Sequence, residues 1–377
     1  MTSAIRLEAA TAAVTVLSNR ADVTDWALRY FGQWWNAAAT EADGVHGDSV
    51  VTADLDPAAY EAISLLVGDG RPTGTVSYAK HPLVVARDGD DVVATSPGEG
   101  IAYRSTPSSR RLVLAGTDVW KLALSAARLA REVARGQLLR DGWAVLHSSA
   151  VVRPDDNATL LTFGEKGAGK TTTALLLASN GWQLLANDRV LARPIGDRDV
   201  EVVPWPSAAA LGLGLLDSLD WFATAREHLR TGGGFHPTQH RSVTAALLAG
   251  DPTPLRDGKG RERKVQVFPD QFPHLFDVPL ATVGTAAALL FPQVIADSAP
   301  GLADGARTLG EGDFMSGATE DRYPDVFGLA QGIDGGGRES ARAEVASRLA
   351  VLPHHAVRLS HDTQASAAVL GKLADSI

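Results

Sequence analysis

The segment from Thr159 to Asn180 restricts the fold more than any other part of the chain. An apolar strand, Thr159–Phe163, runs into the loop Gly164-Glu165-Lys166-Gly167-Ala168-Gly169-Lys170-Thr171. The loop opens into Thr172-Thr173-Ala174-Leu175-Leu176-Leu177-Ala178, a sequence suited to a helix that reaches about Ser179. Asn180-Gly181 is a stop signal, and a second strand, Gln183–Leu185, follows it. Strand, loop, helix and strand make a βαβ-type unit, so the expected class is α/β.

The loop fits the pattern G-x-x-x-x-G-K-[ST] at every position. Glycines at 164, 167 and 169 let the backbone curl so that successive N–H groups point inward. The helix starting near Lys170 adds its positive end, which favours an anion there. Lys170 would reach the β- and γ-phosphates of a nucleotide, and the Thr171 hydroxyl would ligate Mg²⁺. Gly164 to Thr172 are therefore the candidate cofactor-binding residues, with ATP and Mg²⁺ as the expected cofactors. A GTPase would carry Asn-Lys-x-Asp, and none of the five asparagines is followed by lysine. The Ser-Gly-Gly-Gln signature of a transport ATPase is also missing.

After the second strand the chain reads Leu184-Leu185-Ala186-Asn187-Asp188-Arg189-Val190, and before the loop it reads Leu146-His147-Ser148-Ser149-Ala150-Val151. A histidine on one strand, a phosphate loop after the next and then an Ala-Asp-Asp-Arg-Val run resembles the HPr kinase/phosphorylase family and its hydroxyl-phosphorylating relatives. The likeness covers residues from about 140 to 295, with Val203-Pro204-Trp205-Pro206 and Lys264–Pro279 at the positions of substrate-side regions. It implies a P-loop kinase core of HPr-kinase type that moves the γ-phosphoryl of ATP onto a hydroxyl of a small metabolite or a peptide serine. It also implies catalytic roles for Asp188, His147 and Lys170, and a metal held by Thr171 and Asp188. One departure stands out: Asn187 occupies the first of the family's two aspartate positions, so the carboxylate that assists deprotonation of the acceptor is missing there. A reverse, phosphorylase activity is accordingly not expected. Phosphoryl transfer needs positioning and charge neutralisation more than a strong base, so the forward reaction can survive the change. A nucleotide-binding regulatory protein, an NTPase and a nucleotidyl transferase remain alternatives on the same core.

At 377 residues the chain exceeds one ordinary hydrophobic core, and a smaller N-terminal α+β domain is expected over 1–105, with the kinase domain over 106–377. The aromatic spacing Trp26, Tyr30, Phe31, Trp34 after a Thr24 cap predicts a core-facing helix, and Asp56-Pro57 predicts another. Leu83–Ala86 and Val92–Thr95 read as strands, and Thr95–Ser109 as a linker. A long helix is expected from Thr117 to about Arg140, with Arg128, Arg131, Glu132 and Arg135 outside its apolar stripe. Gly232–Gly234 and Gly335–Gly337 read as surface loops. The basic run Arg256–Lys264 offers Arg263 or Lys264 as a phosphate clamp, with a solvated loop equally consistent. Histidines 236, 240, 354, 355 and 361 form no recognised zinc pattern.

Net charge is −9, which disfavours nucleic acid as a partner, and no apolar run approaches a membrane span of about 20 residues. The absence of cysteine excludes disulfides and thiol catalysis. Ala9–Leu17 is long enough for a signal-peptide core, but Glu8 precedes it and its alternation suits a strand, so a cytoplasmic location is expected. The sequence leaves a homo-oligomer open.

Overall fold

The computed structural model describes residues 2–42, 49–315 and 323–377. The protein is mixed α/β, and the chain divides into two units: residues 1–145 with 314–343, and residues 146–313 with 344–377. Among the described residues no helix is long and apolar enough to cross a membrane.

The first unit is built on one sheet. Its strands are β1 (Ser3–Ala9), β2 (Ala12–Ser18), β3 (Ala38–Ala39), β4 (Ser49–Leu55), β5 (Thr73–Tyr78), β6 (His81–Asp88), β7 (Asp91–Ser96), β8 (Ile101–Thr106) and β9 (Arg111–Gly116). They lie in the order β3-β1-β2-β4-β9-β8-β7-β6-β5, with β2, β4 and β9 parallel and the remaining neighbours antiparallel. The stretch Ala9–Leu17 is thus the turn and second strand of a hairpin. Helices α1 (Ala21–Phe31) and α3 (Val119–Arg140) pack on β2 and on each other. Phe31, Trp34 and Trp35 are fully buried, which makes the aromatic stripe core. Thr24 lies inside α1 and does not cap it; its hydroxyl donates to the Ala21 carbonyl. Helix α2 (Pro57–Gly68) starts at Asp56, whose carboxylate accepts from the Ala59 amide, and Ile63 and Val67 pack on Ala86, Val93, Ala102 and Ala115.

Four expectations need correcting here. The division falls after Val145 and not at 105/106, because β9 is an interior strand and α3 covers it together with β2 and β4. The expected linker Thr95–Ser109 is instead mostly β8 and a 3₁₀ turn, Pro107–Ser109, since its small polar residues pair within the sheet. Arg131, Glu132 and Arg135, placed outside the apolar stripe, are nonetheless buried: Glu132 pairs with Arg135 at 2.8 Å and Arg131 at 3.4 Å, and Arg135 also donates to the Tyr323 carbonyl at 2.9 Å, so pairing and hydrogen bonding let one helix bury charge beside its stripe. Gly335–Gly337 is buried as well. A Cβ on Gly336 would collide with the Met315 carbonyl, so these glycines serve a close backbone approach and not a surface loop.

The short strand β10 (Ala144–Leu146) spans the division between the units. The second unit then contains β11 (Ser149–Val152), β12 (Ala158–Thr162), α4 (Lys170–Ala178), β13 (Gln183–Ala186), β14 (Val190–Ile195) and β15 (Asp199–Pro204). After β16 (Ala209–Leu211) come α5 (Leu213–Ser218), α6 (Phe222–Arg230) and α7 (Arg241–Ala249), then β17 (Leu255–Arg256), β18 (Glu262–Arg263), β19 (Val265–Val267) and α8 (Gln271–Phe276). The chain re-enters the main sheet with β20 (Gly284–Val294), and β21 (Gly301–Ala303), α9 (Glu339–Leu349), β22 (His354–Leu359) and α10 (Thr363–Ala374) complete it. The main sheet runs β14-β15-β20-β12-β11-β13, and the far half of β20 also pairs with β22 in parallel. β11 is antiparallel to both β12 and β13 and lies between them, so the expected βαβ unit carries an intervening strand. Leu175, Leu176 and Leu177 bury α4 against the sheet, with α10 beside it.

Candidate functional site

The loop after β12 is shaped by its glycines. Gly164, Gly167 and Gly169 all have positive φ, at 153°, 88° and 108°. A Cβ on Gly169 would stand 2.9 Å from Val294 Cγ2, and one on Gly164 would stand 2.8 Å from the Ala168 methyl. Two of the three positions therefore exclude side chains by space as well as by conformation, whereas Gly167 is restricted by conformation alone. The Ala168 amide donates to the Glu165 carbonyl at 3.1 Å and closes the loop. Gly169 is the N-cap of α4 and supplies no side-chain cap, so the helix presents main-chain donors and its positive end at this point. Glu165, Lys166 and Gly167 are exposed around the rim, while Thr172 is half-buried in the first turn.

Lys170 is buried, and its ammonium turns back onto the loop. Nζ donates to the Gly164 carbonyl at 2.6 Å and reaches the Glu165 carbonyl at 3.4 Å. The start of α4 is tied to the strands behind it: Ser149 Oγ donates to the Lys170 carbonyl at 2.8 Å, and Ser148 Oγ donates to the Thr162 carbonyl at 3.0 Å. These two serines follow His147 directly, so the ties that anchor the loop also fix the histidine. The His147 amide donates to the Asp313 carbonyl at 2.7 Å.

The Ala186–Val190 turn completes the cluster. Thr171 Oγ1 donates to the Asn187 carbonyl at 3.4 Å, which brings the hydroxyl to the peptide that joins Asn187 to Asp188. Asp188 Oδ1 lies 3.3 Å from His147 Nε2, and Oδ2 lies 2.8 Å from Arg189 Nη1. Burial alone would push the Asp188 carboxyl up. The hydrogen bond to His147, the Arg189 guanidinium, the imidazole and the Lys170 ammonium outweigh that and hold it down at about 2, against an ordinary 3.8. The Asn187 amide oxygen instead accepts from Ser207 Oγ at 3.3 Å, and Asn187 is buried. The position that lacks the expected acid is thus a structural tie.

The residues singled out from the sequence as site residues fall into one cluster: the loop Gly164–Thr171, Lys170, His147 and Asp188. Two groups near it were not anticipated. Arg189 was part of the recognised run but had no assigned role. Arg307 donates two hydrogen bonds to the Asp313 carboxylate, at 2.6 Å from each terminal nitrogen, lies over the Phe291 ring at 5.2 Å, and is close enough to Glu165 for that carboxylate to raise its pKa after Asp313 has done so. Nothing in the polar stretch around Arg307 marks it in the sequence. The basic run behaves differently from a clamp: Arg263 donates to His240 Nδ1 and Ser242 Oγ, and Lys264 faces Glu262 at 3.8 Å.

Among the described residues no group of three or more His, Cys, Asp and Glu side chains is gathered for a metal ion. The donors present, one carboxylate and one hydroxyl beside a polyanion cradle, fit a cation that keeps waters and takes phosphate oxygens, which is the habit of Mg²⁺. No protein-family model matches the chain, and no curated protein is similar to it at a significant level.

Proposed function

We propose that this protein is an ATP-dependent kinase that transfers the γ-phosphoryl group to a hydroxyl of a small metabolite or of a peptide. One observation carries the reading. A loop with three left-handed glycines joins a buried strand to a helix start, and the helix's first lysine and threonine lie beside a strand-end aspartate. The sequence resemblance to the HPr kinase/phosphorylase family points the same way and supplies the analogy for a P-loop kinase core.

Each group has a role that follows from its surroundings. The loop amides and the positive end of α4 take the phosphate oxygens. Lys170, now satisfied by two carbonyls, exchanges them for the β- and γ-phosphates and neutralises the charge that develops in transfer. Bound Mg²⁺ would contribute further neutralisation of the same oxygens, and Thr171 and Asp188 are the side chains to hold it. With its pKa at about 2, Asp188 stays ionised and is a weak base, which suits a ligand better than a proton acceptor. His147 is the better group to orient the acceptor hydroxyl and receive its proton, with Asp188 fixing the imidazole through Nε2. Arg189 and the Arg307–Asp313 pair set the electrostatic rim.

The deciding experiment incubates the protein with MgATP and a panel of hydroxylated metabolites and serine peptides, with product identified by mass. A product heavier by one phosphoryl group supports the kinase, and transfer of a nucleoside monophosphate replaces it with nucleotidyl transfer. Lys170→Ala should lower turnover by about 10²–10³-fold with unchanged circular dichroism. Wild-type turnover in that variant sinks the assignment.

A further inference from the structure

The N-terminal unit holds a second concentration of chemistry, unrelated to the glycine loop. A cavity of about 110 Å³ is lined by Ser49, Thr106, Arg110, Arg111, Arg140 and Gln331, among others. One water needs roughly 10–15 Å³ measured in this way, so the space takes a group of several atoms. Two separate pieces of backbone deliver the arginines. Arg110 closes the 3₁₀ turn Pro107–Ser109 with a φ of 54°, Arg111 opens β9, and Arg140 is the last residue of α3.

The three guanidiniums are not neutralised by the protein. Among the described residues no carboxylate stands within ion-pairing distance of any of them. The acids closest to Arg140 are otherwise engaged: Asp141 accepts from Thr11 Oγ1 at 2.8 Å, and Asp325 accepts from the Ala330 and Gly332 amides. Arg140 itself donates to the Leu329 carbonyl. Burial first, and then the charge of Arg110, lowers the Arg140 pKa, so like charges are held together in a partly dry place. Elsewhere in the same unit arginines find acids, as Arg71 does with Asp88 and Arg104 with Asp91. In a chain of net charge −9, three unneutralised arginines around one void are the exception, and an anion would offset their repulsion.

We propose that this cavity binds a small molecule through a phosphomonoester group held by Arg110, Arg111 and Arg140. A carboxylate offers two oxygens and one charge, which a single guanidinium fork satisfies. A phosphomonoester offers three terminal oxygens and nearly two charges, which suits three forks better. The Ser49 hydroxyl in the wall, which accepts from Gln137 Nε2 at 3.0 Å and keeps its own hydrogen, is a further donor of the kind that phosphate oxygens accept, whereas the Thr106 hydroxyl is engaged with the Asp91 carboxylate. This site is independent of the kinase reading, since it lies wholly within the N-terminal unit.

The test is hydrogen–deuterium exchange of the full chain, read peptide by peptide, with inorganic phosphate, glycerol phosphate, citrate or sodium chloride at matched ionic strength. Both phosphates should slow exchange in residues 105–112 and 328–331. Arg140→Gln and Arg111→Gln should each weaken that protection at least about tenfold, the usual loss for one charge-assisted contact. Should Arg140→Gln fail to fold, Arg111→Gln decides, because its side chain is exposed at a strand start. The proposal is overturned by any of four results: no slowing in these segments, equal slowing with chloride, stronger slowing with citrate, or slowing unchanged in the folded variants. Protection of residues 164–171 is read in the same experiment, so failure here leaves the nucleotide site standing, and the reverse.

Discussion

The glycine loop and the arginine cavity are two ways of making a place for an anion. The loop uses the main chain: eight consecutive residues, three of them glycines in left-handed backbone, with the positive end of α4 behind them. The cavity uses side chains from positions 110, 111 and 140 gathered by tertiary folding. In the loop the charged groups are already partnered, Lys170 by carbonyls and Asp188 by His147 and Arg189. In the cavity the cations face one another. A site written in backbone geometry has to be local in sequence, because only adjacent amides can curl around one anion. A site written in guanidiniums is free of that restriction, and it carries electrostatic strain that the first does not.

On the kinase reading, Lys170→Ala has the largest expected effect, and that effect is on turnover. Next comes a pair of substitutions that asks whether the loop is specified by backbone. Gly169→Ala adds a methyl 2.9 Å from Val294 Cγ2 at a φ of 108°. Conformational strain and overpacking together should lower stability by about 2–4 kcal/mol. Gly167→Ala meets nothing within 4 Å, so only its φ of 88° counts and the loss should be about 1 kcal/mol. Denaturant unfolding of the two variants measures the difference. Equal losses would mean that close packing against the end of β20 does not shape the loop.

How far each region could be read in advance follows from the same contrast. The loop, its strand and its helix were visible because glycine spacing and apolar runs act over a few residues. His147 and Asp188 were placed by a resemblance, and their 3.3 Å contact follows from the Ser148 and Ser149 ties, which no spacing rule encodes. The boundary between units was misplaced because β9 pairs with β4, more than fifty residues earlier, and pairing over such distances leaves no periodic mark. Arg131, Glu132 and Arg135 were placed outside the core stripe because a helical wheel records polarity and cannot see that Glu132 pairs with both arginines and a carbonyl takes up Arg135 as well. The arginine cavity was invisible for a related reason: Arg110 closes a short turn, Arg111 opens a strand, and Arg140 ends a helix where a basic residue is favourable anyway.

A smaller effect probes the partnered half of the comparison. The Asp188 carboxyl titrates at about 2 in the folded protein, below its ordinary 3.8. A depressed carboxylate contributes stability that is complete above the unfolded value and disappears as pH falls through the folded one. The stability difference between wild type and Asp188→Asn should therefore be constant from pH 5 to 8 and shrink between about 4 and 2, as followed by urea unfolding. A difference that instead grew toward low pH would mean that Asp188 is not held by His147 and Arg189.

The smallest effect probes the unpartnered half, and its sign is the informative part. Removing a residue from a satisfied network destabilises, whereas removing one of several like charges relieves the rest. Arg110 is exposed and contributes to lowering the pKa of Arg140. Without a bound anion, Arg110→Gln should therefore leave the fold as stable as before or more stable, by about 0.2–0.5 kcal/mol, the scale of one screened like-charge pair. Because the repulsion acts through solvent, the gain should fade toward 1 M salt, where the screening length shrinks to about 3 Å. Phosphate should reverse the order, stabilising wild type more than the variant by mass action. Thermal unfolding in low salt, high salt and phosphate separates these cases. A variant destabilised in all three would show that Arg110 serves the fold, and the cavity would then lose its reason to hold three charges.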